Sequence, residues 1–212
     1  ENYDGIKDIG PPRKLLRAME LADVTLNDGG KVVIWCSFLK TIDKLKKLFH
    51  ERDIQTREIF GAVPADEEED PQYNRSLLID QFREDPNVNV LIANPATLAE
   101  SVSLQRECHH AIYVDRTFNG GHYMQSLERI HRVGLEPGTI TKYDIIQSAD
   151  SIDQVIHNRL GTRVRRMEEF LTHADLVVGR YAVSGKQNFG NPIGDDKELD
   201  GDLNAVLEHI NQ

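Results

Sequence analysis

Gln125, Arg129 and Arg132 stand at i, i+4 and i+7, the spacing that places residues on one face of an α-helix. Tyr123, Met124, Leu127 and Ile130 fall on the opposite face. The pattern predicts a helix packed on a core by one side and presenting an amide and two guanidiniums on the other, with Gly134 as its stop. Two guanidiniums held in a row can cradle a polyphosphate, because the planar fork matches phosphate oxygens and never loses its charge. The ordinary alternative is a solvated helix face. The elements around the pair decide between the two.

Those elements belong to a chain of 212 residues, 39% hydrophobic and 28% charged, which is enough for one large domain or a domain with appendages. No apolar run is long enough to span a membrane. Glu1 to Asp8 is polar and does not read as a signal peptide. Two cysteines, Cys36 and Cys108, make no disulfide framework. Cys36 lies in an apolar run and reads as a small buried hydrophobe, and the usage favours a reducing intracellular compartment. The net charge of −10 argues against a generic basic nucleic-acid binder, but leaves room for a few placed cations on a phosphate backbone.

From the amino end, Pro12 opens a helix carrying Leu15, Leu16, Met19 and Leu26, and Asn27-Asp28-Gly29-Gly30 is turn chemistry. Lys31–Cys36 is a strand-length apolar run, expected to be buried on both faces. Ser37 is the expected N-cap region of a helix carrying Ile42, Leu45, Leu48 and Phe49. Residues 54–60 read as a second strand. Gly61 to Pro71 is a loop with the acidic run Asp66-Glu67-Glu68-Glu69-Asp70, most simply a solvated loop. Leu77, Leu78 and Phe82 mark another helix. Residues 88–93, 111–115 and 140–146 read as further strands. Ser151-Ile152-Asp153 opens a long helix with Val155, Ile156, Leu160, Val164, Met167 and Leu171 on its apolar side. Arg159, Arg163 and Arg166 line another side, either a solvated basic face or a contact with DNA or a partner. From Gly179 the composition turns to glycine, asparagine and acid, with an amphipathic segment over Leu203, Val206, Leu207 and Ile210. Strands alternating with helices predict a mostly parallel α/β sheet with right-handed crossovers, covered on both faces. Ligands of such sheets collect beyond the carboxyl ends of the strands. The segments after Ala93 and Asp115 are therefore expected to converge there with the arginine helix.

Several familiar signatures are missing or false. Gly179 to Lys186 approaches a phosphate loop, but its glycine spacing is one residue too long and Gln187 replaces the hydroxyl that would hold magnesium. Cys108-His109-His110 resembles a ligand set, yet neighbouring residues point apart and no second cluster has zinc spacing; no metal ligands are expected. His131 falls near the apolar side of its helix and is expected to pack.

The order of segments resembles the C-terminal RecA-like lobe of helicase-type ATPases, specifically Swi/Snf-type DNA translocases. Lys31–Phe38 looks like motif IV. Gly61, Arg75 and Phe82 sit where the family has a G…R…F block. Leu91–Leu104, ending Ala99-Glu100-Ser101-Val102-Ser103-Leu104, looks like motif V. Asp115-Arg116-Thr117-Phe118-Asn119 is similar to Asp-x-x-Trp-Asn. Gln125–Gly134 matches motif VI, and Ser151-Ile152-Asp153 resembles the start of the family's brace helix. The likeness covers about residues 12–172. Ala99 and Ser101 replace glycines that would permit close backbone approach, Leu135 replaces a glutamine and Phe118 a tryptophan, so the chain reads as a divergent member.

The resemblance implies an α/β fold of three RecA-like layers with a brace helix and tail: a lobe over 12–150, the brace over 151–178 and a polar, acidic tail over 179–212. It implies ATP and Mg bound mainly by a separate N-terminal lobe, over which this one closes. Arg132 is implied as the arginine finger, Arg129 as a contact to the γ-phosphate or a holder of the finger, and Gln125 as an orienting group. Glu100 and Ser101, with the two arginines, are implied at the nucleotide, and Ser37, Asn94, Thr97 and Asn119 at DNA. The implied partner is double-stranded DNA, gripped through its phosphates without regard to sequence. The implied setting is a bacterial nucleoid, or the nucleus in a eukaryote. The chain by itself is expected not to hydrolyse ATP. The competing readings are a non-catalytic RecA-like lobe that docks a protein partner, and an independent small-molecule-binding α/β domain.

Overall fold

A computed structural model describes residues 10–65, 70–98, 102–132, 134–136 and 138–173, with side chains as far as 165. The apolar run after the Asn27–Gly30 turn becomes β1 (Lys31–Trp35), whose last four residues are inaccessible to solvent. Around it stand β2 (Gln55–Ile59), β3 (Val88–Ala93), β4 (Cys108–Tyr113) and β5 (Lys142–Ile145). The order is β2-β3-β1-β4-β5, and every neighbouring pair is parallel. A central strand with both faces covered has no solvent side to alternate toward, which is why its sequence reads as unbroken hydrophobics.

Helices α1 (Arg13–Asn27) and α2 (Leu39–His50) share one face of the sheet. Leu15, Ala18, Met19 and Ala22 of α1 and Ile42, Leu45 and Phe49 of α2 form one core with Val32, Ile34, Val90, Ile92 and Ile112. Helix α3 (Arg75–Glu84) packs on β2 and β3 through Leu78, Ile79 and Phe82. Asn74 caps it, its side chain accepting from Leu77 N at 2.9 Å, the expected role of an asparagine there. Lys31, at the start of β1, donates to the carbonyls of Phe82, Asp85 and Val88 at 2.6, 2.8 and 2.9 Å. It thereby ties the last turn of α3 and the connection after it to the start of β3.

The chain falls into two compact units. The sheet unit runs to Asp115 and resumes over Ser126–Ile146; the second holds Arg116–Gln125 and the residues from Gln147. In the second unit, α5 (Ile152–His173) opens as Ser151 predicted. Asp153 Oδ2 accepts from Ser148 N at 2.8 Å, and Ser151 Oγ donates to Ser148 O at 2.8 Å. Arg163 donates to the carbonyl of Phe118, and a side chain at Gly120 would meet Arg163 Cβ at 3.4 Å, so the glycine allows a close approach. Arg163 is thus engaged within its own unit rather than standing on a solvated basic face.

Several element boundaries differ from expectation. Helix α4 (Gly120–Leu127) stops well short of Gly134, and residues 128–130 form a turn. Strand β4 begins at Cys108, three residues before the expected start, and β5 is shorter than expected, with Ile140 85% exposed ahead of it. The N-cap residue of α2 is Phe38 rather than Ser37, and it lends no side-chain cap. The acidic residues 66–69, the phosphate-loop near miss and the tail lie outside the described residues.

Candidate functional site: two edges of one sheet

The arginine pair lies at the amino edge of the sheet, where the strands begin. The segment leading into β4 is held there, Leu104 accepting from Cys108 N at 2.9 Å. Leu104 N in turn donates to Arg129 O at 2.9 Å, and Arg129 Nη1 donates to Val102 O at 3.0 Å. Arg132 Nη1 donates to Ser103 Oγ at 2.7 Å, and Arg83, from the end of α3, donates through Nη2 to Ser103 O at 2.7 Å. His131 Nδ1 is 3.1 Å from Thr141 Oγ1, just ahead of β5.

These contacts correct three expectations. Arg129 and Arg132 follow the helix rather than ride on it, because the competing bonds to residues 102–104 take the chain out of its helical path after Leu127. They meet the segment that follows Ala93 only in its later part, at residues 102–104, where it has returned to the edge at which β4 begins. His131 is exposed and does not pack.

The two arginines are not equivalent. Arg129 is 9% exposed, and burial, together with the Arg132 guanidinium beside it, lowers its pKa from the usual arginine value. Arg132 is exposed, anchored by a neutral hydroxyl that satisfies an N–H without cancelling charge. Gln125 is exposed on α4 and belongs to the second unit. Glu100 and Ser101 lie outside the described residues.

The carboxyl edge is built differently. Asn94, directly after β3, donates from its backbone N to Ile59 O at 2.8 Å and from Nδ2 to Ser37 O at 3.0 Å, while its Oδ1 accepts from Ala96 N at 2.9 Å. Thr97 N donates to Asn94 O at 3.0 Å. Asp115, beyond β4, accepts from Ser37 N, Phe38 N and the Thr41 side chain. A carboxylate from another strand thus caps α2, which has no capping side chain of its own; the positive end of the helix favours such a group. Burial nevertheless raises the Asp115 pKa, because the charged form is shielded from water. Asn94 thus brings Ser37 and Thr97 together at this edge. Asn119 is exposed in the second unit, where its Oδ1 caps α4 by accepting from His122 N at 3.1 Å.

The remaining motif residues also acquire physical roles. Arg75 donates to Val63 O at 2.9 Å and to Gly61 O at 3.5 Å, tying α3 to the loop after β2. Arg116 donates to His157 Nδ1 at 3.1 Å and sits 5.6 Å from the Tyr123 ring centroid. Cys108 is fully buried, its thiol pushed up to about 12 by burial. His110 is buried between Thr25 Oγ1 at 2.5 Å and Asp144 Oδ2 at 2.8 Å. Among the described residues, no three His, Cys, Asp or Glu side chains could hold a metal ion together. Asp115 as a helix cap and Arg83 as a partner of Ser103 escaped the sequence reading. Asp115 stood in a quoted motif and was legible as important; Arg83 carries no local signal.

The family model of the helicase conserved C-terminal domain matches residues 13–134. The DNA repair protein rad8 of Schizosaccharomyces pombe is 33% identical over 160 residues, covering 74% of this chain and 12% of that protein. The ATP-dependent helicase FUN30 of Saccharomyces cerevisiae is 27% identical over 138 residues, covering 65% of this chain and 11% of that one. The chain therefore spans about an eighth of each of these relatives. Among solved structures, the C-terminal part of the Fun30 ATPase domain superposes with a TM-score of 0.64 at 20% identity, covering 93% of this chain and 54% of that one. That likeness establishes a shared RecA-like α/β fold.

Proposed function

The chain belongs to the helicase conserved C-terminal domain family, and we propose that it is the closing lobe of an ATP-driven double-stranded DNA translocase, inactive until an N-terminal lobe with a phosphate loop completes the cleft. That lobe supplies most of the ATP site and the Mg ligands. Arg132 is the arginine finger, placing a guanidinium against the phosphoryl group as charge spreads over its oxygens. Arg129 holds the finger's segment to Val102 rather than reaching the nucleotide. Gln125 orients groups near the reacting phosphate. Glu100 and Ser101 couple nucleotide state to DNA. Ser37, Asn94, Thr97 and Asn119 contact the DNA backbone, and the division at 150 and 178 separates lobe, brace and tail.

The observation that carries this reading is the asymmetry of the pair, with Arg129 buried and bonded to Val102 O and Arg132 exposed. A finger needs one cation free to leave the surface and a rigid base behind it. Both curated relatives reported are yeast proteins, which favours a nuclear setting over a bacterial one. The test is steady-state ATP turnover of the complete protein with duplex DNA. Arg132→Ala should lose at least about 10³-fold in kcat while binding ATP as before. Wild-type turnover in that variant would favour the docking lobe, in which the arginines serve structure alone.

A further inference from the structure

The helices that cover one face of the sheet are charged in an unusual sense. Helix α1 ends just before β1 and α2 begins just after it, so both amino termini point to the carboxyl edge. Arg13 and Lys14 stand in the first turn of α1 and Lys40 in that of α2, and neither first turn contains an acid. Cations at the positive end of a helix oppose its dipole, by about 0.3–1 kcal/mol each when exposed. Lys14 offsets this by acting on the partly buried Asp115 carboxylate, whereas Arg13 and Lys40 are exposed.

Further along α2, Lys40, Lys44 and Lys47 repeat at i, i+4 and i+7 and are all exposed, directly opposite the buried Ile42, Leu45 and Phe49. Among the described residues, none of the three makes an ion pair, although Asp43 flanks the row. Lys46, off this line, is paired with Glu58 at 2.7 Å. Arg13 and Arg17 stand exposed on the neighbouring α1, Arg17 paired with Glu20 at 2.8 Å. In a chain of net charge −10, this is a row of uncompensated cations, roughly 10 Å long by helical rise. It starts beside Ser37 and Asn94.

We propose that the outer face of α2, through Lys40, Lys44 and Lys47 with Arg13 of α1 at its margin, is a phosphate-tracking surface for double-stranded DNA. It extends the contact of the carboxyl edge along the flank of the lobe. The inference rests on the translocase reading for its partner, but adds a surface outside every motif named above. The row reads no bases, since flexible ammonium groups on one helix face meet phosphates as point charges.

The experiment is fluorescence anisotropy of the 212-residue chain with two duplexes of unrelated sequence, titrated with salt between about 50 and 200 mM. Replacing all three lysines (Lys40→Gln, Lys44→Gln, Lys47→Gln) should flatten the log–log salt slope by about 2–3, at 0.9 per phosphate contact, and equally for both duplexes. Arg106→Gln, an exposed cation before β4, should leave the slope unchanged, and circular dichroism checks that each variant is folded. An unchanged slope in the triple variant, with wild type binding DNA, overturns this inference alone. A wild-type chain that ignores DNA overturns it together with the DNA partner proposed above, whereas the Arg132→Ala turnover test fails or succeeds independently of both.

Discussion

The two edges of the sheet use the same elementary bonds to opposite ends. At the carboxyl edge, Asp115 answers the amide groups at the start of α2, and Asn94 spends its amide on Ser37 and Ala96. Donors and acceptors are matched around this rim. At the amino edge, guanidiniums are anchored on Val102 O, Ser103 Oγ and Ser103 O. A hydroxyl satisfies an Arg132 N–H without neutralising its charge, so the exposed guanidinium is anchored and still positive. A matched rim suits a surface that must keep its shape while DNA passes. An anchored guanidinium that keeps its charge, as Arg132 does, suits a group that must meet charge developing on phosphate.

This contrast can be broken by mutation. The largest effect is expected at Arg132, where Ala should cost at least about 10³-fold in turnover and change duplex affinity by less than about twofold; loss of both together would mean that the edges do not divide the work. Asp115→Ala comes next. It leaves the amides of Ser37 and Phe38 without their acceptor, so urea unfolding should show a loss of about 1–3 kcal/mol. Stability equal to wild type would remove the carboxyl rim from the account.

Much of this architecture could be read from residues alone. Strand β3 was delimited to the residue, because Val88–Ala93 is a short apolar run bounded by polar turns. The amphipathic helices α1, α2 and α3 followed from spacing that tertiary contacts reinforce rather than oppose. The failures share one cause, a long-range bond overriding a local pattern. The fourth strand was expected to begin at Ala111, but Thr25 and Asp144 supply partners to His110 from distant positions and the strand begins at Cys108. The arginine helix looked continuous to Gly134, but Val102, Ser103 and Leu104 capture residues 129–132. That Arg129 and Arg132 come to one place was therefore legible, and the edge on which they stand was not.

Smaller effects sharpen the comparison. Arg83→Gln removes the donor to the Ser103 carbonyl and should lower kcat by about threefold to tenfold, the equivalent of one net hydrogen bond, with KM for ATP unchanged; an altered KM with kcat intact would place Arg83 at the nucleotide instead. The smallest effect is a pH dependence inside the sheet unit. Burial holds the His110 pKa below the ordinary histidine value against the opposing bond to Asp144, so the unfolded chain binds a proton first as pH falls. The contribution of His110 is complete above about 6.5 and is lost as pH falls through its lowered folded value. Thermal unfolding between pH 8 and pH 5, referenced to His110→Asn, should show this slope in wild type and a shallower one in the variant; parallel curves would remove His110 as its source.

The central claim is that the exposed guanidinium at the amino edge acts on ATP while the opposite edge engages DNA. The most direct measurement is single-turnover ATP hydrolysis by the complete protein carrying Arg132→Lys, at saturating duplex DNA. The account predicts that charge without the fork is insufficient, so that cleavage slows by orders of magnitude while both ATP and DNA stay bound. Cleavage at the wild-type rate would contradict it.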